Sequence, residues 1–83
     1  MRQPHATNQF KRDVKRMKRR HKAMHKLKSV IDRLSQNIPL EPQFKDHSLM
    51  GKYKGRRECH IEPDWLLIYQ LEGDDHITLE RTG

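Results

Sequence analysis

The segment His60-Ile61-Glu62-Pro63-Asp64-Trp65-Leu66-Leu67-Ile68-Tyr69 is the most informative part of this chain for its fold. A polar segment with a histidine, two carboxylates and a proline leads directly into the most apolar run of the sequence. Pro63 has no amide hydrogen to donate, and it biases Glu62 toward extended geometry. We therefore expect one strand to end near Ile61 and the next to begin at Trp65, with a turn between them. The pattern predicts that titratable side chains lie next to the start of a buried strand.

The composition limits the size of the core. The chain has 83 residues, of which 33% are apolar and 35% charged, so we expect a single domain over residues 1–83 with a small core, to which partner binding adds stability. The only cysteine, Cys59, cannot form an intramolecular disulfide, which is typical of a reducing compartment such as the cytoplasm. No apolar run approaches the ~20 residues of a membrane span, and the basic N-terminus does not resemble a secretory signal.

The positive charge is concentrated in the first half of the chain. Residues 1–36 contain twelve lysine and arginine residues and two aspartates, a balance of +10, whereas the remainder has six basic and nine acidic residues, a balance of −3. Such asymmetry favours a polyanion or an acidic protein as partner, although a basic helix surface often serves only solubility.

Two amphipathic helices are predicted in this basic half. Phe10, Val14 and Met17 form one apolar stripe on a helix over residues 8–20, for which Thr7 and Asn8 are both suitable N-caps. A second helix over residues 23–36 carries the stripe Met24, Leu27, Val30, Ile31 and Leu34. Residues 1–7 fit either a frayed arm or a short edge strand. The pattern indicates a basic helical hairpin.

The second half of the chain is predicted to form a small sheet. Residues 38–51 contain two prolines and a glycine and are expected to be a loop, and strands are predicted at about 52–61, 65–71 and 77–81. The short connections predict antiparallel neighbours. The expected fold is α+β, a two-helix hairpin packed on a small antiparallel sheet of three to four strands.

Four segments of this half, taken together, resemble a known family. They are Lys45-Asp46-His47-Ser48-Leu49-Met50-Gly51, Tyr53-Lys54-Gly55-Arg56-Arg57, the opening stretch from His60 to Tyr69, and Leu79-Glu80-Arg81-Thr82-Gly83. Their order and spacing resemble those of the YafQ branch of the RelE-like toxins, the ribonucleases of bacterial type II toxin–antitoxin systems.

The resemblance implies an activity and a set of partners. It implies a metal-independent endoribonuclease, without cofactor, that cleaves mRNA in the A site of the ribosome and inhibits translation. It also implies a cognate acidic antitoxin of the DinJ or RelB kind that wraps the basic surface, and contact with operator DNA only through that antitoxin. No membrane association is expected, because no apolar run is long enough to span a membrane. The family fold has a short strand before the helices, whereas Arg2 to Thr7 lack the apolar pattern expected there.

Metal-free RNA cleavage needs proton transfer and stabilisation of charge on the phosphate. Histidine is the side chain best suited to proton transfer near neutral pH, so His47 and His60 are candidates for it, Asp64 can accept a proton or orient a histidine, and Arg81 can hold a phosphate. These four are the candidate catalytic residues. The candidate RNA-binding residues are one aromatic ring and four cations: Trp65, Lys52, Lys54, Arg56 and Arg57.

Each candidate also has a purely structural interpretation. A loop histidine is often solvated, a lone tryptophan in an apolar run is normally core, and aspartate is common in turns. Arg81 can pair with Glu80 or Asp64 instead of a phosphate. Cys59 is expected to be a small core residue. His21 and His25 have helical metal-pair spacing, but no third ligand is evident in the sequence.

The end of the chain and the basic helices each leave an alternative to the nuclease. Family members usually continue past this last segment with one more catalytic histidine and an aromatic residue, whereas this sequence stops at Gly83. A non-catalytic module that binds the antitoxin or the ribosome is therefore the main alternative. A basic DNA-binding protein that uses the helical hairpin is the other.

Overall fold

All five strands belong to one sheet, and both helices pack against it. The computed structural model describes residues 1–83, with helices α1 (Asn8–Arg19) and α2 (Met24–Ser35). The strands are β1 (Gln3–Ala6), β2 (His47–Ser48), β3 (Arg57–Glu62), β4 (Trp65–Glu72) and β5 (His76–Thr82). Short 3-10 turns occupy Pro42–Phe44 and Gly51–Tyr53. Neither helix has the length and apolar character needed to cross a membrane.

The sheet has the order β1-β5-β4-β3-β2. Strands β3, β4 and β5 are antiparallel neighbours, as expected. Strand β2 lies within residues 38–51, which were expected to be a loop, and pairs antiparallel with β3, whereas β1 runs parallel to β5. The α+β fold with two helices on a small sheet is confirmed, but the strands number five and the sheet is mixed. All four residues of β1 are exposed, so this edge strand exists through backbone pairing and leaves no apolar pattern in the sequence.

The helices begin and end within one residue of the predicted bounds. The Thr7 hydroxyl accepts a hydrogen bond from the Phe10 amide at 3.0 Å and caps α1.

The connection from the second helix to the sheet differs more from the prediction, because residues 52–56 form a turn and loop and β3 begins only at Arg57. Glycines at 51 and 55 with positive φ explain why no strand forms there.

One face of the sheet is covered by the helices and forms the core. We call it the helix-covered face. Its buried apolar residues come from both helices and three strands: Phe10, Met17, Leu27, Val30, Leu34, Cys59, Ile61, Trp65, Leu67, Tyr69, Ile77 and Leu79. The residues that alternate with them point to the other side, the open face, which carries Glu58, His60, Leu66, Ile68 and Glu80. The candidate site lies on this open face.

Candidate active site

Cross-strand pairing aligns several candidates in one row on the open face. His47 on β2 pairs with Glu58 on β3, Glu58 pairs with Ile68 on β4, and Ile68 pairs with Arg81 on β5. Residues directly opposite each other in a ladder share a face. With strands ~4.8 Å apart, His47 and Arg81 mark the two ends of a row about 14 Å long.

His60 lies in the next row of the same face. It pairs with Leu66 on β4 and is two residues along β3 from Glu58, so its side chain points to the same side as that of Glu58. The structure thus brings His47, His60 and Arg81 to one surface, although they are far apart in the sequence.

The ring of His47 is held by two oxygens. Nδ1 donates to the carbonyl oxygen of Lys45 at 2.6 Å, and Nε2 is 3.4 Å from Oε1 of Glu58. Because a carbonyl oxygen only accepts, Nδ1 carries the hydrogen and Nε2 is the basic atom of the neutral ring. A proton on Nε2 makes the ring positively charged, and the nearby Glu58 carboxylate stabilises that charge. Sequence reasoning missed Glu58, because its contribution depends on the β2–β3 register.

Arg81 reaches the open face through a β-bulge. Tyr69 opposes Leu79 while the preceding Ile68 opposes Arg81, so Glu80 is an extra residue on β5. Glu80 and Arg81 therefore both point to the open face, and Thr82 returns to the buried side. Without the bulge, strand alternation would turn Arg81 toward the core.

A buried aspartate of α1 holds this arginine. Asp13 is 0% exposed; its Oδ2 accepts hydrogen bonds from Arg81 Nε at 2.9 Å and from the Thr82 amide at 3.1 Å. Oδ1 accepts from Gln9 and Arg16, both at 3.0 Å. Burial by itself raises the pKa of Asp13, but the hydrogen bonds from Arg81, Gln9 and Thr82 outweigh it and hold the pKa below its usual value.

Sequence reasoning did not identify Asp13. The available signal was its position, since it falls on the apolar stripe of α1 between Phe10 and Met17. A carboxylate at such a position is rarely buried without a cationic partner. The same contact raises the pKa of Arg81, chiefly through the hydrogen bond to Asp13.

Asp64 lies away from the row. It is in the two-residue turn between β3 and β4, its side chain is 81% exposed, and its nearest cation is Lys22 at 3.9 Å. Glu62 points to the helix-covered side because of a second bulge after His60, and it pairs with Lys26 at 2.9 Å. The hydrogen bond from Lys26 is the main cause of the lowered pKa of Glu62.

The position of Trp65 differs from the prediction. The prediction that it stacks on RNA is wrong for this structure, because the side chain is 0% exposed and lies in the core. Its Nε1 donates to Oγ1 of Thr82 at 2.8 Å, so its one polar atom is satisfied internally. Trp65 belongs to the buried set of β4, and the side chain that alternates with it on the open face is Leu66.

The four candidate RNA-binding cations do not share one surface. Lys52 and Lys54 are exposed on the loop before β3, and Arg56 pairs with Glu80 of the open face at 3.1 Å. Arg57 instead opposes Tyr69 on the helix-covered side, where its Nε donates to Asp46 at 3.2 Å. Arg57 thus anchors the segment before His47 and does not join the open face.

Cys59 is a core residue, as predicted. Its side chain is buried, and burial raises the pKa of the thiol to about 12. The neighbouring His60 points to the opposite face, so it cannot activate this sulfur. The structure contains no group of three or more histidine, cysteine, aspartate or glutamate side chains that could hold a metal ion.

Comparison with known proteins identifies the family. The model of the family described as "Bacterial toxin of type II toxin-antitoxin system, YafQ" matches residues 2–83. The mRNA interferase toxin YafQ of Escherichia coli K12 is 47% identical over 78 residues, which cover 93% of this chain and 84% of that protein.

Solved structures give the same answer. The crystal structure of YafQ from E. coli BL21(DE3) superposes with a TM-score of 0.92 at 44% identity, covering 100% of this chain and 92% of that one. YafQ in the E. coli DinJ–YafQ complex gives a TM-score of 0.91 at 45% identity, with the same coverage. Since the family match spans both helices, the sheet and every residue of the open-face row, this chain belongs to the YafQ family of bacterial type II toxin–antitoxin toxins.

Proposed function

We propose that this chain is an mRNA interferase that cleaves mRNA on the ribosome by metal-independent acid–base catalysis. The observation that carries the proposal is the open-face arrangement of His47, His60 and Arg81. The E. coli relative named as an mRNA interferase supports the same reaction class. The chain would act in the cytoplasm, where translating ribosomes present single-stranded codons.

The reaction divides into three tasks. One histidine removes the proton from the ribose 2′-OH, whose oxygen attacks the adjacent phosphorus. Arg81 binds the non-bridging oxygens as negative charge develops on them. The second histidine donates a proton to the departing 5′-oxygen as the P–O5′ bond breaks, which leaves a 2′,3′-cyclic phosphate. No external oxidant, reductant or metal is needed for this balance.

The surrounding groups support these tasks. Glu58 stabilises the protonated form of His47, and Asp13 fixes the direction of the Arg81 guanidinium. Asp64, exposed in the turn after β3, is the candidate carboxylate that accepts a proton or orients a histidine. Lys52, Lys54 and Arg56 lie beside the open face and are suited to contact the RNA backbone.

We also propose an acidic antitoxin of the DinJ kind as partner. The YafQ relative has been solved in complex with DinJ, and residues 1–36 of this chain carry a balance of +10. An acidic chain that covers α1 and α2 would neutralise this charge.

His60→Ala tests the proposal directly. In a reconstituted translation system, primer extension is expected to detect cleavage of translated mRNA by the wild-type chain and at least ~100-fold slower cleavage by the variant, because general acid–base catalysis contributes roughly that much. Expression without antitoxin should arrest growth for the wild type and not for the variant.

The matched control is His25→Ala, an exposed histidine on α2 at the opposite side of the sheet. It should cleave like the wild type. Unchanged cleavage by His60→Ala would exclude the assigned role. Ribosome co-sedimentation of the wild type without any cleavage would replace the nuclease with a non-catalytic binding module.

A further inference from the structure

The open face contains a cleft that the proton-transfer chemistry does not use. The cavity is about 230 Å³ in volume and lies beside Arg81, between the end of β5 and the loop before β3. Leu66 and Ile68 of β4 form its floor, and Tyr53 of the loop forms one wall. Arg16 and Arg81 stand at its rim.

The floor is not part of the hydrophobic core. Leu66 and Ile68 are half-buried and alternate along β4 with Trp65, Leu67 and Tyr69, which supply the buried side. No helix covers this face. Two aliphatic side chains on the solvent side of a sheet, next to an aromatic ring, form a surface suited to a flat apolar ligand.

Local backbone geometry fixes the position of Tyr53. Gly51 and Gly55 on either side of it have φ of 68° and 89°, a region that side-chain-bearing residues rarely adopt. The Tyr53 carbonyl accepts from the Arg56 amide at 3.0 Å. The Arg56 side chain is in turn paired with Glu80 of the open face at 3.1 Å. The loop is thereby tied down with the tyrosine over the sheet.

The charge around the cleft indicates the kind of ligand. Arg81 and Arg16 lie at the rim, Lys52 Nζ is 5.8 Å from the centre of the Tyr53 ring, and Lys54 is exposed on the same loop. A flat ring attached to an anionic backbone satisfies both the apolar floor and this cationic rim. Single-stranded RNA is recognised in this way, by stacking of unpaired bases and cationic contacts to phosphates.

We propose that this cleft binds one unpaired base of the mRNA, with Tyr53 as the stacking ring, next to the phosphate that Arg81 holds. The inference deepens and rests on the proposed function. It assigns to Tyr53 the stacking role that the sequence had suggested for Trp65. A base seated on Leu66 and Ile68 places its own ribose and phosphate within the row that contains His47 and Arg81.

Three substitutions at Tyr53 test whether base binding needs an aromatic ring or only an apolar side chain at this position. In the reconstituted translation system, Tyr53→Leu is expected to raise the KM for the programmed ribosome about 10-fold, because stacking on an aromatic ring contributes on that scale. Tyr53→Phe and Tyr53→Trp keep a ring and should remain within about 2-fold of the wild type. Met50→Ala, at an exposed side chain just before the loop, is the matched control and should leave KM unchanged. Equal KM values for the leucine variant and the wild type, with equal thermal unfolding, would overturn the proposal.

A second readout separates the cleft from the nuclease activity. A short single-stranded RNA with 2-aminopurine and 2′-O-methyl riboses, which block cleavage, is titrated with the chain in the absence of ribosomes. Stacking should quench the fluorescence with the wild type and Tyr53→Phe, but not with Tyr53→Leu. Quenching of this kind without mRNA cleavage by any variant would reject the proposed function and retain the base-binding cleft. Identical quenching by all three chains, or by none, would reject the cleft.

Discussion

At the scale of single residues, Asp13 is the most consequential side chain outside the open face. Its two oxygens accept four hydrogen bonds at 2.9–3.1 Å, from Gln9, Arg16, Arg81 and the Thr82 amide. Arg81 binds Asp13 through Nε at 2.9 Å and through Nη2 at 3.5 Å, which leaves Nη1 of the guanidinium available to a phosphate. Asp13 is therefore a positioning residue for Arg81, and it also joins α1 to the end of β5.

Asp13→Asn tests this assignment. The amide keeps the size of the side chain but removes the charge and one acceptor, so we expect the free energy of unfolding to fall by about 2 kcal/mol, as for a hydrogen bond to a charged group. The kcat for mRNA cleavage should fall about 10-fold because the Arg81 guanidinium is no longer held in a fixed direction. Urea unfolding and primer extension measure the two effects. Asp32→Asn, at an exposed aspartate paired only with Lys28, should change neither, and a normal kcat for Asp13→Asn would refute the positioning role.

The stabilisation by Asp13 should also depend on pH. The pKa of Asp13 is lower in the folded chain than its ordinary value, so its contribution is fully present above the unfolded pKa of about 3.9 and is lost as the pH falls through the folded pKa. The difference in Tm between the wild type and Asp13→Asn should therefore be constant near neutral pH and shrink below about pH 4. Thermal melts followed by circular dichroism across this range measure it; a difference that does not change with pH would contradict the linkage.

At the scale of the elements, both helices end in the same way. His21 and Asn37 adopt positive φ of 58° and 60° directly after the C-caps. The Lys22 amide donates to the Met17 carbonyl at 3.1 Å, and the Ile38 amide donates to the Arg33 carbonyl at 2.9 Å. These are Schellman motifs, in which glycine is the usual residue at the left-handed position. Asparagine tolerates this conformation better than histidine does.

His21→Gly is expected to stabilise the chain. The side chain is exposed, and removing the Cβ relieves a left-handed conformation that costs about 1 kcal/mol in a residue with a side chain. The Tm should rise by roughly 4–8 °C for each kcal/mol in a chain of this size. His21→Ala keeps the Cβ and is the control, for which no gain is expected. If both variants gave the same Tm, the conformation of residue 21 would not be the cause.

At the scale of the whole molecule, the two faces of the sheet have different electrostatic characters. Residues 1–36, which include both helices, carry a balance of +10. The open face instead pairs acidic and basic groups, as in His47 with Glu58 and Arg56 with Glu80. The helical side is therefore suited to long-range attraction of polyanions, whereas the open face is suited to chemistry on a bound strand.

Salt dependence of ribosome binding tests this division. We expect the association constant to fall linearly with salt on a double-logarithmic plot, because each phosphate that a lysine neutralises releases counterions. Replacing the exposed lysines of α1, Lys11, Lys15 and Lys18, with glutamine should reduce the slope by about one for each phosphate that is no longer neutralised. Replacing the same three with arginine keeps the charge and should keep the slope. Sedimentation at several salt concentrations measures it, and an unchanged slope for the glutamine variant would mean that α1 does not face the ribosome.

The helices and the central strand could be predicted from the sequence alone, because their apolar residues recur with the period of the element they form. The apolar stripes of α1 and α2 and the dense run from Trp65 to Tyr69 depend on local periodicity, so their bounds were predicted closely. The four segments from Lys45 to Gly83 likewise identified the family, because their residue types and spacing are readable along the chain.

The direction in which the candidate catalytic side chains point depends on contacts between distant parts of the chain. The β1–β5 pairing joins Gln3 to His76 across most of the chain, and a single extra residue at Glu80 turns Arg81 toward the open face. Register and bulges are set by contacts between distant segments, and a shift of one residue exchanges the two faces of a strand. For this reason the sequence did not show that Asp13 holds Arg81, and Trp65 was predicted to stack on RNA although its side chain is buried. The proposed stacking residue, Tyr53, lies beside Leu66 and Ile68 on the open face.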